Sequence, residues 1–188
     1  RSFANNDPLF NKIRSLIKLE DIKSEVFQSG CVSLTDGAYH AYPHTDYVSD
    51  AEFQKSVIAS SCIPGVWSPI PSIKNKHFEI TQAIDGGIRN LTPLGDAIKY
   101  ISESDQEFDY HFLIMTCHPN QLQPMTTKPS LFKIAARGIY DVALDEIRDT
   151  DLKEFLRIND LVKQAKIQGL ELKTKTVAKL HEFAYLSF

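Results

Sequence analysis

The stretch Gln82-Ala83-Ile84-Asp85-Gly86-Gly87-Ile88 and its approach, Ile58-Ala59-Ser60-Ser61-Cys62-Ile63-Pro64-Gly65, decide how the chain is read. An apolar run ends on a single acid, and Gly86 and Gly87 follow at once. Glycine has no Cβ, so the backbone can turn sharply there and leave the acid at a strand end. The residues alone fit two readings. One is a polar turn closing a hairpin; the other is a carboxylate held rigidly beside a cavity. Upstream, Ala59-Ser60-Ser61-Cys62 is made only of small residues. Small side chains let a helix approach a sheet or another backbone closely, and a helix end does not otherwise need them.

Outward from that stretch, Ser49 followed by Glu52 has the form of a capping box. The helix it starts carries Phe53, Val57 and Ile58 and should run to about Cys62, because Pro64 ends it. Residues 78–84 read as the strand that delivers Asp85, and Thr92-Pro93 caps a helix with Leu94, Ala97, Ile98 and Ile101 inward. Earlier, Cys31-Val32-Ser33-Leu34-Thr35 and Ala38-Tyr39-His40-Ala41-Tyr42 flank Asp36-Gly37, a strong hairpin signal. Asp7-Pro8 predicts a helix start with the acid at the N-cap. Leu9, Phe10, Ile13, Leu16 and Ile17 fall on one face of it, and a second short helix through Ile22 and Val26 should stop at Gly30.

Residues 108–117 become nearly continuously apolar from Phe112, as expected of a strand covered on both faces. Residues 119–129 form a polar connection. From Ser130, Leu131, Ile134, Ala135, Gly138, Ile139 and Val142 make one stripe. Leu152, Phe155, Leu156, Leu161 and Val162 make a second after Asp149-Thr150-Asp151. Both stripes are expected to be core. Residues 183–188 alternate like a strand. Strands alternating with helices predict an α/β fold, a layered sheet flanked by helices with a helical C-terminal region. The expected division is residues 1–125 as the main domain and 126–188 as a helical tail packing on it.

Composition excludes several classes. The 188 residues are 43% hydrophobic and 24% charged with net charge −3, as in a globular protein without the basic excess of a nucleic-acid binder. No apolar run approaches the ~18 residues of a membrane span and no signal-peptide pattern opens the chain, so a cytoplasmic setting is expected. The chain opens at Arg1, without methionine and in loop-like sequence, so native sequence upstream is expected. Cys31, Cys62 and Cys117 have no metal-like spacing and read as reduced, mostly buried thiols. His40, His44 and Asp46 are interrupted by Pro43 and lack a specified third ligand, so no metal is expected. Cys117 and His118, adjacent on a strand, should point to opposite faces rather than share a proton. No glycine-rich phosphate loop occurs, and no cofactor is expected.

Four motifs in order resemble the second half of a patatin-like phospholipase domain: Ala59-Ser60-Ser61-Cys62-Ile63-Pro64, Trp67-Ser68-Pro69-Ile70, Asp85-Gly86-Gly87 and Asn90-Leu91-Thr92-Pro93. The hairpin Leu34-Thr35-Asp36-Gly37 also resembles that family's Thr-Gly turn, with Asp36 inserted. The likeness covers about residues 30–120; residues 126–188 resemble only the variable helical tail of bacterial members.

The resemblance implies acyl-ester hydrolysis by a Ser–Asp dyad with Asp85 as base and Gly86 and Gly87 beside it. The substrate would be a phospholipid or another acyl ester, with peripheral membrane contact allowed and no nucleic-acid partner. The family's serine sits in a G-x-S-x-G elbow, and its oxyanion is held by a glycine-rich nest. Neither motif occurs in the 188 residues, so nucleophile and oxyanion hole are expected before Arg1, and the chain alone is expected to be inactive. Ser60 and Ser61 lack the flanking glycines to replace them. Two rival expectations remain. One is a patatin-fold module without its serine that binds lipid or protein; the other is an unrelated α/β hydrolase using His118.

Overall fold

The hairpin signalled by Asp36-Gly37 forms one half of the sheet. In the computed structural model, which describes residues 5–103, 110–115, 128–170 and 184–187, β1 (Gln28–Ser33) and β2 (Tyr39–Pro43) pair antiparallel, with Cys31 opposite His40. The turn uses Gly37 at φ +71°, and the Asp36 carboxylate accepts the Ala38 N–H at 2.8 Å. β3 (Ile70–Lys74) and β4 (Glu79–Asp85) form a second hairpin, and β4 pairs antiparallel with β1. The result is a four-stranded antiparallel sheet in the order β2-β1-β4-β3. With its helices it makes a mixed α/β fold.

Gln82 resolves a conflict in β4. Ile80 and Ala83 both enter the core beside Ile70 and Ile73, yet a spacing of three cannot keep two residues on one face of a regular strand. Gln82 takes φ +50° between them and faces Pro71, which has no N–H to give the ladder. This local break re-phases the strand.

The core lies between the sheet and α2 (Asp50–Ala59), which buries Phe53, Ile58 and Ala59 against Cys31, Tyr47, Ile70 and Ile73. Ser49 caps α2 by accepting the Glu52 N–H, but Glu52 does not reach back as a capping box requires. Its carboxylate instead accepts the Lys74 N–H at 2.6 Å and pairs with Lys55 at 2.7 Å, tying the helix to β3. Helix and sheet also meet through the hydroxyls of Ser29 and Ser56, 2.6 Å apart. α2 ends at Ala59, with Ser60 and Ser61 in the turn that follows, short of the expected Cys62.

Asn6 rather than Asp7 holds the N-cap position of α1 (Asp7–Leu16), and its side chain makes no capping hydrogen bond. Phe10, Ile13 and Ile17 pack on the core, whereas Leu9 and Leu16 face solvent. The expected second helix is only a 3-10 turn at Leu19–Asp21, and Gly30 lies inside β1 instead of ending a helix. A strand at Gly30 leaves too little chain for a helix before it.

The chain separates into two compact units, Arg1–Leu91 and Thr92–Phe188, a division earlier than the expected 125/126. In the second unit, α3 (Leu94–Glu103), β5 (His111–Ile114) and the helical run α4 (Leu131–Ala136), a π-helical stretch Arg137–Ala143 and α5 (Leu144–Ile167) surround a smaller core. That core is Leu94, Ile114 and Phe155, flanked by Ile98, Ile101, Leu152 and Leu156. β5 pairs parallel with β6 (Ala184–Ser187). It is not covered on both faces, because Leu113 is exposed while Ile114 is buried.

The stripe at 131–142 is exposed rather than core, and the helix runs unbroken through Asp149-Thr150-Asp151. Of the second stripe, Phe155 and Val162 are buried but Leu161 is exposed. No helix among the described residues is long and apolar enough to cross a membrane.

Candidate functional site

Asp85 is the last residue of β4, and its surroundings follow from the strands beside it. Its register partner on β1 is Cys31, so the two side chains share one face of the sheet. The Asp85 N–H donates to the Cys62 carbonyl at 3.0 Å, so the segment leaving α2 runs directly alongside. The Asp85 Oδ1 accepts the Gly87 N–H at 2.8 Å. The backbone then winds into a 3-10 turn, Gly86–Ile88, and the N–H groups of Arg89 and Asn90 both donate to the Gly86 carbonyl at 3.0 Å. The Asp-Gly-Gly stretch therefore does not close a hairpin; it leads from the sheet toward α3.

The two glycines have separate reasons. A Cβ on Gly86 would lie 2.5 Å from the Gly30 carbonyl carbon and 2.9 Å from the Cys31 nitrogen. No real side chain fits there. The backbone that approaches Gly86 is thus β1. Gly30 is squeezed from another direction, because its own Cβ would meet the Tyr39 ring at 2.4–2.9 Å. A Cβ on Gly87 would meet the Leu91 side chain at 2.9 Å and Asp85 Oδ1 at 3.2 Å. That crowding lies beside the carboxylate itself.

Burial pushes the Asp85 carboxyl above the ordinary aspartate value, and the Gly87 N–H only partly offsets this. Among the described residues, no basic side chain contributes to holding it down. A half-buried carboxylate with one oxygen fixed by the backbone and no cation partner binds a proton more readily than a solvated one. The same burial raises the Cys31 thiol to about 12. Cys62 is pushed up to about 11, chiefly by burial and further by the Asp85 charge. Both thiols are therefore protonated and inert as nucleophiles, in line with the buried, reduced state read from the sequence.

Asn6 is the neighbour that sequence reasoning missed. Its amide donates to Cys62 Sγ at 3.2 Å and to the Ser68 carbonyl at 3.4 Å. It fastens the start of α1 to the segment that holds the Asp85 backbone. An asparagine at a helix start reads as a cap, and nothing in the sequence signals this longer reach. Gly30 did carry a signal, since a glycine within a strand pattern marks a close backbone approach.

The other sequence candidates disperse. Ser61 Oγ donates to the Ile58 carbonyl at 2.8 Å, turned back onto its own helix. His40 Nδ1 lies 3.2 Å from the Tyr42 hydroxyl and its Nε2 3.6 Å from Asp36, while His44 Nδ1 accepts the Phe27 N–H at 3.3 Å. Those two rings do not converge. Among the described residues, no group of three or more His, Cys, Asp or Glu could hold a metal. Cys117 and His118 lie outside the described residues.

No family model, curated protein or solved structure matches the chain.

Proposed function

We propose that this chain supplies the general base of a serine acyl-ester hydrolase of the patatin-like phospholipase type. The observation that carries the reading is Asp85: a carboxylate at a strand end, half-buried, without a cation among the described residues and aligned by the Gly87 N–H. In the proposed reaction, a seryl hydroxyl from a G-x-S-x-G elbow outside residues 1–188 attacks the acyl carbonyl. Its proton passes to the Asp85 carboxylate, and Asp85 returns that proton to the departing alcohol. Water activated by the same carboxylate then frees the acyl group. Raising the carboxyl above its ordinary value makes Asp85 a better base for an alcohol, and rigid placement supplies the rest. The substrate class is a phospholipid or a related acyl ester, and the step needs neither metal nor cofactor.

The test is Asp85→Asn in a protein carrying both the elbow and residues 1–188, assayed on a nitrophenyl ester. The expected loss is on the order of 10⁴-fold in kcat, as for loss of a triad member, with the fold retained. Activity within tenfold of the parent would refute the assignment. A second reading, a binding module on the same fold, is favoured by the lack of any G-x-S-x-G in the 188 residues. It predicts no ester turnover by any form of the protein that contains residues 1–188.

A further inference from the structure

α1 is held on the first unit without burying any of its own residues. Phe10 and Ile13, with Ile17 just past its end, are half-covered where they pack on the core, and the other side chains of the helix stand exposed. The C-terminal end is pinned twice to α2. Buried Gln54 donates from Nε2 to the Ile17 carbonyl at 2.6 Å, and the Asp50 carboxylate accepts the Leu19 N–H at 2.9 Å. At the N-terminal end the tie is Asn6, which reaches Cys62 and Ser68 rather than its own helix.

Asn6 is a costly tie. It forgoes the capping bond that an asparagine at a helix start normally makes. Its Oδ1 is buried without a hydrogen-bond partner among the described residues. A buried acceptor left unpaired favours any state in which water can reach it. A ten-residue helix, moreover, does not persist once it leaves the surface that supports it. Undocking and unravelling of α1 are therefore one event, and the unpaired Oδ1 favours it.

We propose that α1 is a latch on residues 62–68, the strap that runs beside Asp85. Closed, Asn6 holds the strap down; open, the strap and the carboxylate are bared while the sheet and α2 stay folded. The two pins at Gln54 and Asp50 place the hinge at residues 17–19, so the end that lets go is the one at Asn6. Cys62 reports the opening, because it bonds Asn6 and is only 1% exposed in the closed state. Cys31 is equally buried, at 1%, but sits in β1 between β2 and β4, where only loss of the sheet bares it. That the latch governs access to a catalytic base rests on the acyl-hydrolase reading; the latch itself does not.

The experiment is pulsed labelling of the folded 188-residue chain with iodoacetamide over a low-urea series, each cysteine being read by peptide mass spectrometry. Cys62 should react on the order of tenfold faster than Cys31 or more, at a rate nearly independent of urea, since a local opening exposes little surface. The Cys31 rate should climb with the slope of global unfolding. Lys12→Gly changes an exposed position of α1 and should speed Cys62 about fourfold, the effect of glycine in a helix interior. Asn6→Asp keeps the shape but cannot donate to Cys62 or Ser68, and should also speed Cys62. Ile84→Val, in β4 opposite Val32, should speed Cys31 about fivefold and leave Cys62 unchanged, because the sheet stays folded when the latch opens. Equal rates at the two cysteines with one urea slope would overturn the latch. So would a Cys62 rate that Lys12→Gly or Asn6→Asp leaves as it was, or that Ile84→Val raises. Ester turnover enters none of these readouts, so failure of the hydrolase reading is seen separately.

Discussion

α2 and α4 begin alike and end differently. Each opens on a serine whose side chain accepts an N–H three residues on, and each carries an apolar stripe at helical spacing. In α2 the stripe is buried, with Phe53 and Ile58 packed between strands. In α4 it lies in the open. The difference comes from what flanks each helix in the chain. α2 sits between two hairpins, so folding brings β1, β3 and β4 onto its face. Short connections place successive elements side by side, and among the described residues α4 has no hairpin on either side of it in the chain. Periodicity therefore shows that a helix has a face, but the neighbouring elements decide what the face meets.

The largest effect that can break this comparison is a pair of truncations. Phe53→Ala should destabilise the first unit by about 3–5 kcal/mol, because it removes buried surface and leaves a cavity among Tyr47, Phe27 and Cys31 that close packing cannot refill. Leu131→Ala should change stability by less than about 0.5 kcal/mol, because its side chain already stands in water. Urea unfolding followed by amide signals from each unit measures both. A large loss for Leu131→Ala would mean that α4 is covered after all.

Glycines sharpen the same contrast with a smaller effect. Gly86→Ala sets a methyl 2.5 Å from the Gly30 backbone, which is held in β1 between β2 and β4 and cannot yield cheaply. A cost of about 1–3 kcal/mol is expected, as for overpacking a fitted interior, together with weaker amide protection at Cys31 and Val32. Gly138→Ala meets nothing within 4 Å and has no positive φ. It should raise stability by about 0.4–1 kcal/mol by restricting the unfolded chain. Opposite signs for one substitution in two places follow from the packing alone. Equal signs would remove the close approach at Gly86 from the account of the site.

These positions also mark what was legible in the sequence. The Asp36-Gly37 hairpin, the Ser49 cap and the strand ending at Asp85 are local signals, carried by turn chemistry and alternation, and they appear where they were expected. Gly30 was misread because two rules compete at a lone glycine, the end of a helix and the close approach of a strand. Only a second strand decides between them. The break at Gln82 was invisible for a similar reason: nothing in Thr81-Gln82-Ala83 marks a left-handed residue until Ile80 and Ala83 must both reach the core. The parallel pairing of β5 with β6 joins residues about seventy positions apart, beyond the reach of any local pattern. At the site, Asp85 was readable from its glycines, whereas Asn6 acts through an amide whose partners lie 56 and 62 residues away.

The smallest effect bears on Asp85 itself, where a functional group and a merely structural turn differ in sign. A turn aspartate stabilises its turn, so removing its charge costs stability. Asp85 is pushed above its ordinary value by burial, so the folded state holds its proton more tightly than the unfolded state does. The sign follows from linkage. Where the folded state binds more protons, stability falls as pH rises. The Asp85 contribution is harmless below the ordinary aspartate value and becomes a cost as pH climbs through the raised value. Asp85→Asn keeps an oxygen that can accept the Gly87 N–H but carries no charge to desolvate. Its melting temperature should therefore match that of the parent in acid and exceed it at neutral pH. A variant that melts lower at neutral pH would return Asp85 to the role of a turn residue. A variant that melts higher would show a carboxylate kept against the interest of the fold, as expected of a group retained for its chemistry.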